Sequence, residues 1–142
     1  MLEYSPLPWT KDLLPEDHQY LTFLKKVFRH ELRKNGFKRI STVFGEDQES
    51  IYKTNDGCLR SHSTVGILRA YLEHNLSEEI QPVYYYFMDQ YFNVDDNGKY
   101  NEMERFGWEI IWENDPILDA ILIYIIYSIL NKIGLENTFI IR

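Results

Sequence analysis

VYYYFMDQYFNVDDNGKYNEMERFGWEIIW, residues 83–112, decides the fold of this chain. It reads as two long strands joined by a polar turn. Tyr84 to Met88 is a continuous apolar and aromatic run, as expected of a strand covered on both faces. Asp95-Asp96-Asn97-Gly98 supplies residues that tolerate positive φ and marks the hairpin tip. The return strand alternates. Phe106, Trp108, Ile110 and Trp112 fall on one face, and Arg105, Gly107 and Glu109 on the other, flanked by Met103 and Ile111. The first face is core. The second places a cation, a bare backbone and a carboxylate in a row, and it either faces water or forms the floor of a ligand site.

Helices are expected on both sides of this pair. Pro15-Glu16-Asp17 opens the first, with proline and acids in its first turn. Leu21, Leu24, Val27, Phe28 and Leu32 form its apolar stripe. Lys25, Lys26, Arg29, Arg33 and Lys34 lie mostly off the stripe and read as a solvated basic face near the C-terminal end, where cations suit the helix dipole. Asn35-Gly36 ends the helix. A strand over Phe37 to Phe44 follows, then a polar connection over Gly45 to Ser50. A hairpin turns at Thr54-Asn55-Asp56-Gly57. A second helix runs from Ser63 or Thr64 to about His74. Asp115-Pro116 starts a third, Ile117 to Ile133, which is apolar nearly all round and so needs burial on more than one side. Gly134 caps it, and Thr138 to Ile141 reads as a last strand. This order predicts one α+β domain over residues 1–142, with a mainly antiparallel sheet flanked by helices.

Composition narrows the function classes. The 142 residues carry a net charge of −7, which argues against a general nucleic-acid surface while leaving room for a local basic patch. One cysteine, Cys58, excludes an internal disulfide and fits a reducing, cytoplasmic compartment. The first residues show no signal peptide, and the apolar run from Ile117 to Leu130, interrupted by Asp119, is shorter than a membrane span. His18, His30, His62 and His74 form no metal-binding spacing, so neither a metal nor a cofactor is expected. No phosphate-binding loop or nucleophile motif occurs. Spacing alone gives an α+β domain with one polar patch and no catalytic signature.

Several segments together resemble the N-terminal half of the catalytic domain of histidyl-tRNA synthetase, a class II aminoacyl-tRNA synthetase. TKDLLPED, residues 10–17, is similar to that family's N-terminal signature. Lys34-Asn35-Gly36-Phe37 with Arg39-Ile40-Ser41-Thr42 resembles motif 1, the dimer-forming element. LRSHSTVGILRAYLEH, residues 59–74, resembles the LRPEGT segment and the helix after it, and GKYNEMERFGWEII, residues 98–111, the second half of motif 2. The similarity runs nearly the whole length of the chain. It implies a class II fold, a homodimer, and a remnant pocket made by Arg60, His62, Thr64, Tyr91, Arg105 and Glu109.

The departures carry the functional expectation. Arg60, Thr64 and Glu109 keep the family's residue types. Tyr91 stands where motif 2 offers an arginine to the ATP α-phosphate, and Asn93 where a glutamate follows. His62 replaces the glutamate that holds the substrate ammonium, Arg105 replaces a glutamine, and Val43 replaces the motif 1 proline. Motif 3, with its own arginine, falls beyond the last residue. Adenylate formation needs cations at the developing phosphate charge, and a phenol cannot imitate a bidentate arginine. No catalytic residue is therefore assigned. The expected function is a non-catalytic dimerisation or regulatory module, with the regulatory subunit of ATP phosphoribosyltransferase as a precedent of the same resemblance and a protein partner in prospect. Two rivals stand: a binder of an amino acid or nucleotide, or residual ATP-dependent ligase, that uses the remnant pocket, and a decayed fragment. The first helix and residues 39–44 are the expected dimer contact, with the helix of residues 117–133 as a second.

Overall fold

A computed structural model describes residues 12–43, 62–94, 100–112 and 115–136, the short stretches 45–46, 53–54 and 57–59, and Ser5, Thr10 and Thr138. The expected hairpin tip at 95–98, the middle of the 54–57 turn and all but the first residue of the expected last strand lie outside them.

Strands β5 (Val83–Val94) and β6 (Tyr100–Ile111) form the antiparallel pair that the alternation predicts, in unbroken register from Val83↔Ile111 to Val94↔Tyr100. Strand β1 (Lys38–Arg39) adds in parallel on the far side of β5, giving the order β1-β5-β6. The strand expected over Phe37 to Phe44 is thus two residues long in ladder terms; Ile40 adds one more bond, its N–H donating to the Tyr86 carbonyl at 2.9 Å. Gly45–Glu46, expected in a connection, is instead strand β2, which pairs with β4 (Gly57–Leu59) beside β3 (Lys53–Thr54) in a second small sheet. The polar side chains of such a connection hide a strand that is set by its partner and not by its own pattern.

The three helices sandwich the long hairpin. α1 (Pro15–Lys34) begins where Asp17 accepts from the Leu14 N–H at 3.0 Å, and it ends at Asn35, whose side chain donates to the Glu31 carbonyl, before Gly36 at φ 85°. α3 (Pro116–Lys132) is capped by Asp115, whose carboxylate accepts from the Ile117 N–H at 2.8 Å. Both pack on the even-numbered face of the hairpin, where Phe28, Leu32, Phe37, Tyr86, Met88 and Ile125 form one core with Phe106, Trp108 and Ile110 around it. The Phe28 ring centroid lies 5.2 Å from Phe106 and 5.4 Å from Trp108. α2 (Ser63–Glu73) covers the odd-numbered face, where Ile67 and Tyr71 meet Val83, Tyr85, Phe87 and Ile111. Each fully buried side chain of this size contributes roughly 1.5–3 kcal/mol, so the two cores hold the hairpin between them.

Trp112 departs from the expected alternation. It sits just past β6 at φ 80°, leaves the Phe106–Ile110 face, and stacks on Tyr71 of α2 with ring centroids 6.4 Å apart. The alternation stops with the ladder, and a positive φ sends the next side chain elsewhere. Among the described residues, no helix is long and apolar enough to cross a membrane.

Candidate functional site

The odd face of β6 presents Arg105, Gly107 and Glu109 under the start of α2. Helix α2 begins one residue earlier than the hydroxyl caps suggest. His62 is the N-cap residue and makes no side-chain cap bond. This releases Thr64, whose hydroxyl donates to Glu109 Oε1 at 2.7 Å. A hydroxyl that would cap the helix in isolation is spent across to the sheet.

Arg105 occupies the other end of the row. Its Nη1 lies 3.4 Å from His62 Nδ1, and its guanidinium carbon sits 5.5 Å from the centre of the Tyr91 ring. Tyr91 comes from β5, where it pairs with Met103, and its hydroxyl contacts Met103 Sδ at 3.9 Å. Arginine over a phenol face is a cation–π arrangement worth about 0.5–1 kcal/mol at an exposed position. His62, Thr64, Tyr91, Arg105 and Glu109 therefore share one face of the sheet. Arg60 lies outside the described residues.

The glycine between the two charges is not open floor. Phe87 faces Gly107 across the ladder, and a Cβ built on Gly107 would lie within 2.9 Å of three Phe87 ring atoms. The ring, 3% exposed, fills the space above the bare backbone. An aromatic side chain covering a cross-strand glycine is a common way to restore packing where a strand lacks a side chain. Alternation places Gly107 on the same face as Arg105 and Glu109, but the partner that covers it comes from register, which the single strand does not reveal.

Nearby hydroxyls are buried. Among the described residues, nothing bonds the Ser63 hydroxyl or the Tyr85 phenol. Burial pushes the Tyr85 phenol above its ordinary value of 10.0, and the charge of Glu79 pushes it the same way. The sequence gives neither residue a role in the site. Ser63 reads as a helix cap and Tyr85 as one member of a core aromatic run, so neither carries a signal of its own.

Comparisons with known proteins find similarity to histidine–tRNA ligases over most of the chain. No family model matches the chain. A histidine–tRNA ligase of Syntrophomonas wolfei is 29% identical over 90% of the chain, and the chain spans 36% of that ligase. Among solved structures, histidyl-tRNA synthetase of S. aureus superposes with a TM-score of 0.81 at 22% identity, over 94% of the chain and 35% of the synthetase. A Bacillus halodurans protein described as an ATP phosphoribosyltransferase regulatory subunit/histidyl-tRNA synthetase also gives a TM-score of 0.81, at 20% identity over 96% of the chain and 39% of its own length. At these identities the solved structures speak for the fold.

Proposed function

We propose that this chain, a homologue of the histidyl-tRNA synthetases over about a third of their length, acts as a single-domain, non-catalytic dimerisation or regulatory module in a reducing, cytoplasmic setting. The observation that carries this reading is that the polar groups of the candidate site are engaged with one another. Glu109 accepts from Thr64, Arg105 lies between His62 and Tyr91, and Phe87 fills the gap over Gly107. A substrate would have to displace each of these contacts. Where the family resemblance expects the phosphate-binding arginine, Tyr91 offers its ring to Arg105 and its hydroxyl to Met103. Transition-state charge at phosphorus needs a preorganised cation, which a phenol does not supply. The regulatory-subunit description of the Bacillus halodurans protein supports the same reading by analogy.

The first test is exchange of pyrophosphate into ATP in the presence of histidine. The purified chain is expected to match a heat-treated control, and histidine-dependent exchange clearly above that control would sink the non-catalytic reading. A second reading, a binder of an amino acid or nucleotide or a residual ligase, draws on the opposed charges of Arg105 and Glu109 beside the unbonded Ser63 hydroxyl. Saturable heat of binding with histidine or ATP, lost in Arg105→Ala, would favour it.

Self-association is the second part of the proposal. On the side of α3 away from the sheet, Ile123, Tyr124, Ile126 and Tyr127 remain exposed, and Tyr20 and Phe23 do so on the N-terminal half of α1. Apolar side chains gathered on one helix face are costly to leave in water and favour a two-fold contact. The C-terminal half of α1 is lined with cations, so like charge would repel there, and we assign the contact to the two apolar surfaces. Sedimentation at low micromolar concentration is expected to show twice the 17.1 kDa chain mass. Ile123→Lys together with Tyr127→Lys is expected to yield monomer. A wild-type chain that sediments as monomer would remove dimerisation from the proposal.

A further inference from the structure

Seven of the fifteen Lys and Arg residues fall between positions 25 and 39, where Glu31 is the only carboxylate, in a chain of net charge −7. Local balance does not explain them. Glu31 is fully buried and already bonded to Lys132 and Ser128. The C-terminal end of α1 offers only about half a negative charge. Lys25 pairs with Glu104 and Lys38 with Glu79, the latter at 2.9 Å. Among the described residues, Arg29, Arg33 and Arg39 have no carboxylate partner.

The fold gathers these cations around a concavity. Arg29 and Arg33 are one helical turn apart on α1 and share a side. The turn at Gly36 then brings β1 alongside them, with Arg39 level with Tyr86 on the α1 side, whereas Lys38, one residue off in the alternation, turns its ammonium to Glu79. Together they wall a cleft of about 440 Å³ with Tyr86 at its base. Arg29 and Arg33 also border a second depression of about 750 Å³ that continues along α1 past Lys26, His30 and Lys34. The two depressions meet at the arginines and form one positive track.

We propose that this track binds an oligophosphate, a chain of linked phosphate groups carrying several negative charges. Guanidinium forks match phosphate oxygens in bidentate geometry, and the cleft is lined by three arginines, Arg29, Arg33 and Arg39. Cations spread over two elements can engage several phosphates at once. A nucleic-acid strand fits less well, because binding single strands draws on exposed aromatic faces for base stacking. Phe37 and Tyr86, the aromatic residues of the cleft, are each 2% exposed. The inference concerns the opposite side of the hairpin from the Arg105–Glu109 row and does not depend on whether that row is catalytic.

Calorimetric titration with inorganic tripolyphosphate, at low salt and at about 0.15 M ionic strength, is the test. Saturable binding is expected, weakened by salt and at least roughly tenfold tighter than that of orthophosphate. A phosphorylated inositol run in parallel separates an organic source of clustered phosphates from the free chain, and the tighter of the two names the source. Arg29→Gln with Arg33→Gln is expected to weaken binding by roughly tenfold or more, as is Arg39→Gln by itself. Arg69→Gln, on α2, is expected to bind like the wild type. Arg29, Arg33 and Arg39 are exposed and Arg69 is half-exposed, and an unchanged circular dichroism spectrum will show that each variant folds. Equal affinity for orthophosphate, tighter binding of a short oligouridine, an unaffected Arg29/Arg33 variant, or no binding even at low salt would each overturn the proposal.

Discussion

Gly107→Ala is expected to destabilise the domain by about 1–3 kcal/mol, the usual cost of forcing extra atoms into a packed core. The new methyl would lie within 2.9 Å of three Phe87 ring atoms. The ring has little room to yield, because Phe87 is 3% exposed and packs with Ile67 and Tyr71 of α2. The effect should appear as a lower midpoint of urea unfolding with an unchanged slope. Phe87→Leu removes the ring edge, so the same glycine substitution placed on that background should cost much less. A double-mutant cycle with no coupling would show that the ring and the glycine are independent, and that Gly107 has another purpose. If the wild-type site instead opened to a ligand, Gly107→Ala would spare stability and harm binding, so the experiment also separates a filled floor from an open one.

The second large effect is expected at Glu31. Its carboxylate is 0% exposed at the α1–α3 contact, where Ser128 Oγ donates at 2.6 Å and Lys132 Nζ donates to the other oxygen. Burial on its own would raise the Glu31 pKa. The bonds from Lys132 and Ser128, with the charges of Lys132 and Lys34, outweigh burial and hold the carboxyl below its ordinary value of 4.5. Lys132→Met would leave this carboxylate buried with a single donor. A fully buried pair broken in this way costs about 3–5 kcal/mol, and because Lys132 is 44% exposed we expect about 2 kcal/mol after solvent screening. The sign with pH follows from the lowered pKa. The stability that Glu31 contributes is complete above 4.5 and is lost as pH falls below it through the folded-state pKa. Wild-type unfolding midpoints should therefore drop in that acid range, and Glu31→Gln should flatten that part of the profile. An acid profile unchanged by Glu31→Gln would show that this carboxylate is not a source of acid sensitivity.

Much of the architecture follows from local chemistry. The period-2 alternation of residues 103–111 puts Phe106, Trp108 and Ile110 on one face and Arg105, Gly107 and Glu109 on the other, as the structure has them. Pro15 and Asp17, Asp115 and Pro116, and Gly36 start and stop helices in the structure as their backbone chemistry predicts. The residue types around positions 59–74 and 98–111 resemble the histidyl-tRNA synthetases, and the comparisons agree. These features share one property: each depends on a residue and its near neighbours in sequence.

What only the tertiary structure decided involves partners distant in sequence. Strand β2 at Gly45–Glu46 exists because β4 pairs with it, and its own composition suggests a loop. Thr64 turns from helix capping to Glu109, forty-five residues away, because His62 is the N-cap of α2 and the helix lies over the sheet. Trp112 leaves the core face to stack on Tyr71 once the ladder ends. Glu31 sits in the α1 pattern beside exposed cations, and its burial appears only when α3 brings Ser128 and Lys132 to it. The cations of residues 25–39 are plain in the sequence, but the cleft they wall comes from the turn that returns β1 alongside α1. Periodicity and capping are set by neighbours along the chain, whereas register, burial and charge convergence are properties of pairs that folding brings together.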